Sequence, residues 1–174
     1  LRAWCSINSG SANLEGLSAM HSALAGAFGA LGGEVETVRS APQSLVKADG
    51  EIVERRLGDC LRVVMRPQAP VRVLLAGHMD TVFAADHPFQ SGRMLDDDTM
   101  NAPGAADMKG GILVMLYALM AIERSRFAER IGYEVILNAD EEIGSPGSAA
   151  ILAEAAKRAQ FACVYEPTMP DGSL

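Results

Sequence analysis

The sequence predicts an α/β fold, a mostly parallel, twisted sheet flanked by helices. Apolar strand-like segments alternate with helical patterns through the second half of the chain, in the order strand, helix, strand, helix, strand. The strand segments are apolar at almost every position, which is typical of strands that are covered on both faces. A length of 174 residues fits one domain with a sizeable core.

The first half of the chain begins with a predicted helix over residues 14–31. Leu17, Met20, Leu24 and Phe28 recur at steps of three and four residues, and Gly32 with Gly33 ends the pattern. Three strands are predicted after this helix, at residues 35–38, 61–65 and 71–76, the last two separated by a proline-flanked turn.

A polar stretch at residues 83–106 has no clear period and is expected to be a surface loop. The segments that follow are a helix at 108–124, a strand at 133–138, a helix at 145–160 and a strand at 161–165. The apolar run at residues 110–122 is shorter than a membrane span and is predicted to be a core helix.

The charge and the cysteines exclude several classes of protein. A net charge of -7 argues against nucleic acid and anionic membranes as partners. Cys5, Cys60 and Cys163 form no C-x-x-C pair, so we expect three free thiols in a reducing compartment, neither a disulfide framework nor a cysteine zinc site.

Acidic side chains follow the predicted strands, where the ligands of open α/β sheets gather. The candidate site residues are His78, Asp80, Asp107, Glu141, Glu142 and Glu166. Carboxylates that converge on one edge of a sheet repel one another, and a divalent cation relieves that repulsion. Histidine with carboxylates suits zinc, cobalt or manganese.

Spacing separates some of the roles at this site. His78 and Asp80 are two residues apart and point the same way in an extended backbone, so Asp80 can orient the imidazole. Glu141 and Glu142 are adjacent and would diverge in an extended backbone, one towards a metal and the other towards substrate. Each motif alone has an ordinary explanation: Asp107 as a helix N-cap, and the two glutamates as a solvated turn.

Four ordered motifs together resemble a known family. "GHMDTVF", "PGAADMKGG", "DEEIGSPGS" and "EPT" resemble the M20 family of zinc metallopeptidases, and within it the glutamate carboxypeptidase branch, which is similar to acetylornithine deacetylase and succinyl-diaminopimelate desuccinylase. The resemblance implies a zinc-peptidase-like catalytic domain with two divalent ions, zinc or alternatively Co²⁺ or Mn²⁺.

The resemblance also implies a role for each site residue. Asp107 would bridge the two ions and be followed by a cis peptide bond to Met108. His78 and Glu166 would complete one metal site, and Glu142 would serve the other. Glu141 would be the general base on a metal-bridging water, with Asp80 supporting His78, for hydrolysis of an amide bond in an N-acyl amino acid or at a C-terminal amino acid.

Two parts of the family pattern are not found in this sequence. The histidine that serves the second metal has no counterpart, since the other histidines are His21, expected to be an exposed helix residue, and His87 in the loop. The lid or dimerisation domain is also absent. Residues 1–174 are therefore expected to be the N-terminal portion of the catalytic domain, inactive alone, in a parent that could dimerise through the missing lid.

Other features of the parent follow only as expectations. Its substrate would be a small N-acyl amino acid or peptide. Its location would be cytoplasmic, or periplasmic if a signal peptide precedes Leu1. Two alternatives stay open: a deacetylase or desuccinylase of the same family, and a non-catalytic metal-binding module on the same fold.

Overall fold

The computed structural model describes residues 1–169 and 171–173. The α-helices in these residues are α1 (Arg2–Cys5), α2 (Leu14–Gly29), α3 (Gly111–Glu123) and α4 (Ala149–Ala156). The strands are β1 (Glu34–Val38), β2 (Gln43–Val46), β3 (Ile52–Arg55), β4 (Cys60–Met65), β5 (Val71–His78), β6 (Arg93–Met94), β7 (Met100–Asn101), β8 (Ile131–Asn138) and β9 (Phe161–Val164). Short helical turns lie at Ala105–Gly110, Ala128–Arg130 and Glu141–Ile143.

The central sheet has five strands in the order β1-β4-β8-β5-β9. β5 pairs in parallel with both β8 and β9, whereas β1 with β4 and β4 with β8 are antiparallel. The predicted α/β class, with helices flanking a sheet, is confirmed, but the sheet is mixed and not mostly parallel, because β4 enters it antiparallel to both β1 and β8. Because β8 lies between β4 and β5, those two strands are neighbours along the chain but not in the sheet.

Helices cover both faces of the sheet, as the apolar strands predict. Side chains of α2 and α3 form the main core with Leu75 of β5 and Val135 of β8. Leu74 and Ile136, the neighbouring residues in the same two strands, pack against Ala155 of α4. Adjacent residues of a strand point to opposite faces, so each of these strands supplies both cores.

Several predicted boundaries differ from the structure. The sequence missed the β2–β3 hairpin, whose strands pair only with each other, and the short β6–β7 ribbon within the loop at 83–106. The helix predicted at 145–160 is α4, which covers only Ala149–Ala156. Residues 145–148, which were predicted to form its first turn, lie outside the helix. The amides of Gly147 and Ser148 there donate hydrogen bonds to the carboxylate of Asp140.

The segment Ala105–Glu123, which joins the turn at Ala105–Gly110 to α3, is long and apolar. It has 19 residues, and an 18-residue window within it has a mean hydropathy of 1.6, enough in length and composition for a membrane span, a test that core helices of soluble proteins also pass. Met108, Ile112, Met115 and Leu119 from this segment are fully buried in the main core. The predicted packing of this helix against the sheet is therefore observed.

Candidate metal centre

The site lies at the carboxyl ends of the three parallel strands. His78 is the last residue of β5 and is paired with Asn138, the last residue of β8. Glu141 and Glu142 follow β8, and Glu166 comes two residues after the end of β9. Parallel strands end at the same edge of a sheet, and the fold therefore brings residues that are distant in sequence to one place.

The imidazole of His78 is the centre of this arrangement. Its ring is 1% exposed, and Nε2 lies 2.9 Å from Oδ1 of Asp107, 3.5 Å from Oε1 of Glu166 and 3.8 Å from Oε2 of Glu141. His78, Asp107 and Glu166 each offer one ligand atom, and these three atoms all lie within 4.8 Å of one another. Three of the predicted site residues are therefore close enough to share one cation.

Asp107 is held out of the helix that follows it. Its backbone is extended, with φ -115° and ψ 103°, and the peptide bond to Met108 is cis, as the family resemblance implies. No side-chain cap bond is formed at this turn, and α3 begins only at Gly111, so the alternative of Asp107 as an N-cap does not hold. Gly104, which precedes the turn, has a φ of 66°, a conformation suited to glycine.

Met108 connects this turn to the end of β5. Its Sδ accepts a hydrogen bond from the amide of His78, at 3.1 Å. A Cβ on Gly77 would lie 2.6 Å from Cε of Met108, so only glycine permits this contact without a shift. The glycine of "GHMD" therefore lets the Asp107 turn approach the histidine.

Asp80 is fully buried, and its carboxylate is bound by residues that support the site. Oδ1 accepts from the amide of Glu141 and Oδ2 from the amide of Glu142, both at 3.2 Å. The Ser11 hydroxyl donates to Oδ2 at 2.7 Å. Nδ1 of His78 lies 3.0 Å from the main-chain carbonyl of Asp80 and 3.4 Å from its carboxylate. Asp80 thus supports both the imidazole, as predicted, and the turn that carries the two glutamates.

The two glutamates are not in extended backbone, and this part of the spacing argument is wrong. Glu141–Ile143 forms a helical turn that Gly144 closes with a φ of 88°. The physical reason is that the amides of Glu141 and Glu142 both donate hydrogen bonds to the Asp80 carboxylate, which holds the backbone in a helical turn. The side chain of Glu141 stays 49% exposed, with Oε2 3.8 Å from Nε2 of His78.

The charges of the site favour a cation. Burial alone lowers the pKa of His78, but the carboxylates of Asp80, Glu166 and Asp107 outweigh it and raise the pKa to about 9. Burial, together with the nearby charge of Asp107, raises the pKa of both Glu142 and Glu166. Crowded carboxylates around one imidazole nitrogen are the donor set of a divalent metal centre, and the residues present fit such an ion.

Two framework residues were not singled out from the sequence. Ser11 is distant in sequence from the four motifs, and nothing in its neighbourhood signals a contact with Asp80. Asp140 is the first residue of the motif "DEEIGSPGS" but was given no role; it is fully buried and bound by Asn138, Gly147 and Ser148. The apolar strand before Asp140 was the available signal, because an acid that continues a buried strand needs internal donors.

The two other histidines lie away from the cluster. His21 is half-buried rather than exposed, 3.3 Å from the Thr37 hydroxyl, and its pKa is lowered mainly by burial. His87 is exposed, accepts a hydrogen bond from the amide of Phe89 and packs against the ring of Phe83. Neither contributes to the ligand group around His78.

Comparison with known proteins identifies the family that the four sequence motifs resemble. The model of peptidase family M20/M25/M40 matches residues 74–174. Carboxypeptidase G2 of Pseudomonas sp. (strain RS-16) is 30% identical over 162 residues, 93% of this chain and 36% of that protein. Acetylornithine deacetylase of Proteus mirabilis (strain HI4320) is 34% identical over 104 residues, 55% of this chain and 25% of that protein.

The fold is similar to that of a solved structure of the same family. An M20 family metallo-carboxypeptidase from Sulfolobus solfataricus, Sso-CP2, superposes with a TM-score of 0.74 at 17% identity, over 98% of this chain and 37% of that one. The chain thus spans about a third of the length of the relatives it matches. On the family match and the shared fold, this chain belongs to the M20/M25/M40 family of peptidases, a family of metal-dependent hydrolases.

Proposed function

We propose that residues 1–174 form the N-terminal portion of the catalytic domain of a dinuclear amidohydrolase resembling glutamate carboxypeptidase. The convergence of three carboxylates on Nε2 of His78 carries this proposal. The share of the relatives' length that the chain covers supports the view that the active enzyme is longer.

In this proposal each residue of the cluster has a separate task. His78, Asp107 and Glu166 hold one divalent ion, and Asp107 and Glu142 serve a second. When bound, such ions lower the pKa of a water molecule and polarise the carbonyl of the substrate. Zinc suits the histidine and carboxylate donors, with cobalt or manganese as alternatives.

Glu141 moves the proton. Its carboxylate is half-exposed, whereas Asp80 is fully buried and has its oxygens occupied by Ser11 and two amides. Glu141 is therefore free to accept a proton from the attacking water at Oε2 and to deliver it to the nitrogen of the leaving amine. Asp80 keeps the turn that carries Glu141 in place.

The substrate we propose is a small N-acyl amino acid or peptide with a free carboxylate next to the scissile amide. The similarity to carboxypeptidase G2 extends over most of the chain and supports this choice. A deacetylase or desuccinylase is the second candidate, supported by the similarity to acetylornithine deacetylase over the shorter stretch. We further propose a cytoplasmic parent protein that can dimerise through a lid domain.

Hydrolysis assays test this proposal directly. The longer enzyme is incubated with N-acyl glutamate, N-acetylornithine and N-succinyl-diaminopimelate. We expect the first to be cleaved fastest, chelators to stop cleavage, and Glu141→Gln to lower kcat by about 10²- to 10⁴-fold. The 174-residue chain alone is expected to be inactive. Undiminished turnover in Glu141→Gln, or in the presence of a chelator, would rule out this mechanism.

A further inference from the structure

The N-terminal segment of the chain is attached to the metal centre at several points. Ser9 accepts a hydrogen bond at its carbonyl from the amide of Thr81, and Gly10 forms a bridge with the same residue. A Cβ on Gly10 would lie 2.3 Å from the carbonyl oxygen of Phe83, so the glycine permits this close approach. These contacts fix the backbone that directly follows Asp80 and place the residue after Gly10, Ser11, beside the Asp80 side chain.

The Ser11 hydroxyl makes the shortest contact of the Asp80 carboxylate. It donates to Oδ2 at 2.7 Å, whereas the amides of Glu141 and Glu142 donate at 3.2 Å. A hydrogen bond to a buried carboxylate is stronger than one between neutral groups. The hydroxyl therefore limits the positions available to Asp80 and, through it, to the turn of Glu141–Ile143.

We infer that Ser11 is a positioning residue of the metal centre. It acts through Asp80 on the turn that carries the general base and one metal ligand, and the significance of those two glutamates rests on the proposed function. Ser11 itself touches neither the cation ligands nor the substrate in this scheme. A chain segment far from the four motifs thus sets the placement of Glu141 and Glu142.

The loop at residues 141–148 provides an internal control for this inference. Its first amides, those of Glu141 and Glu142, bind Asp80, whereas its later amides, those of Gly147 and Ser148, bind Asp140. A change confined to Ser11 and Asp80 alters the first pair and leaves the second pair unaffected. A general loosening of the loop alters both.

Amide hydrogen exchange of the metal-free chain, resolved by NMR, tests the inference. Ser11→Val removes the hydroxyl and Ser11→Thr keeps it, with side chains of almost the same shape. In Ser11→Val we expect the amides of Glu141 and Glu142 to exchange about fivefold faster, and those of Gly147 and Ser148 to be unchanged. Ser11→Thr should retain the rates of the original protein. Ser6→Ala is the matched control, because the exposed hydroxyl of Ser6 donates to the carbonyl of Ala3, a local contact.

Cobalt titration is the second measurement. We expect Ser11→Val to weaken Co²⁺ binding by about tenfold, because the Asp80 carboxylate also lies 3.4 Å from Nδ1 of His78 and orients that ligand, and Ser11→Thr to restore it. Unchanged exchange at Glu141 and Glu142, equal acceleration of all four amides, or loss of the fold in Ser11→Val would overturn the positioning role. The exchange result needs no catalysis, so an inactive parent enzyme would contradict the proposed hydrolysis without affecting this inference.

Discussion

Two buried aspartates at the site have different tasks because different donors surround them. Asp80 faces His78 and the amides of Glu141 and Glu142, whereas Asp140 faces the Ser148 hydroxyl and amides later in the same loop. Each carboxylate therefore fixes one end of the loop. The half-exposed acids, whose oxygens are not used in this way, are the ones that remain available to a cation.

At this residue scale, zinc binding separates the two proposed metal positions. His78→Ala removes the one nitrogen in the ligand group with Asp107 and Glu166, so we expect zinc affinity to fall by about a hundredfold or more. Glu142→Ala should leave binding of the first zinc unchanged, because Glu142 serves only the second position. Isothermal titration with zinc, after circular dichroism shows that each variant is folded, measures both.

His87→Ala is the control for this experiment, since His87 is exposed in the loop and lies outside the ligand group. One zinc per chain is expected for the unmodified protein. Equal losses of affinity in His78→Ala and Glu142→Ala would mean that the two positions are not distinct.

At the scale of elements, the contact between α3 and the end of β9 places Glu166. A Cβ on Gly111, the first residue of α3, would lie 2.1 Å from the carbonyl oxygen of Tyr165, which directly precedes Glu166. The helix and the strand thus meet backbone to backbone. A side chain at this position would displace the segment that carries a proposed metal ligand.

Gly111→Ala is therefore expected to reduce both stability and zinc affinity. Overpacking against backbone should lower the free energy of unfolding by about 2 kcal/mol. Gly26→Ala is the matched control, because its Cβ would meet nothing within 4 Å inside α2, and alanine there should stabilise by about 0.5 to 1 kcal/mol. Urea denaturation measures both variants; a Gly111→Ala protein as stable as the original would contradict the close contact.

The helices and strands were predictable from sequence to different degrees. Long periodic segments such as α2 and the apolar strand β8 were found, with ends shifted by a few residues. The β2–β3 hairpin was missed because its strands are four residues long and contain no buried residue. The site residues could be predicted from the four motifs and their order along the chain. The curl at Glu141–Ile143 could not, because it depends on Asp80, a residue distant in sequence.

At the scale of the whole molecule, a network of ion pairs joins the sheet to a helix. Glu134 of β8 accepts from Nε of Arg62 in β4, at 2.7 Å, and from two nitrogens of Arg158, just after α4. Arg62 also donates to Glu36 of β1, at 2.6 Å. Three adjacent strands and the end of one helix are thereby connected through one nearly buried carboxylate.

This network predicts how stability depends on pH. Burial alone raises the pKa of Glu134, but the hydrogen bonds from Arg158 and Arg62 outweigh it, and the pKa lies below its ordinary value of 4.5. A depressed folded-state pKa gives stability that is present above the unfolded value and lost as the pH falls through the folded one. Glu134→Gln should therefore cost about 1 to 2 kcal/mol near pH 7, a difference that shrinks as the pH falls below about 4.5.

Urea denaturation at a series of pH values measures this difference. Glu51→Gln is the control, because Glu51 pairs with Lys47 across an exposed turn where such pairs contribute little. If Glu134→Gln lowers the free energy of unfolding by the same amount in acid as at pH 7, the charge of Glu134 is not what stabilises the fold.

The place of β8 between β4 and β5 also governs the order in which the fold can form. A ribosome completes β4 and β5 well before β8, so both strands emerge with a hydrogen-bonding edge that lacks its final neighbour. Joining them side by side would be the fastest local pairing, and the native sheet requires that they remain apart until β8 arrives. We therefore expect slow folding dominated by long-range pairing, with a premature β4–β5 hairpin as the characteristic misfolded state.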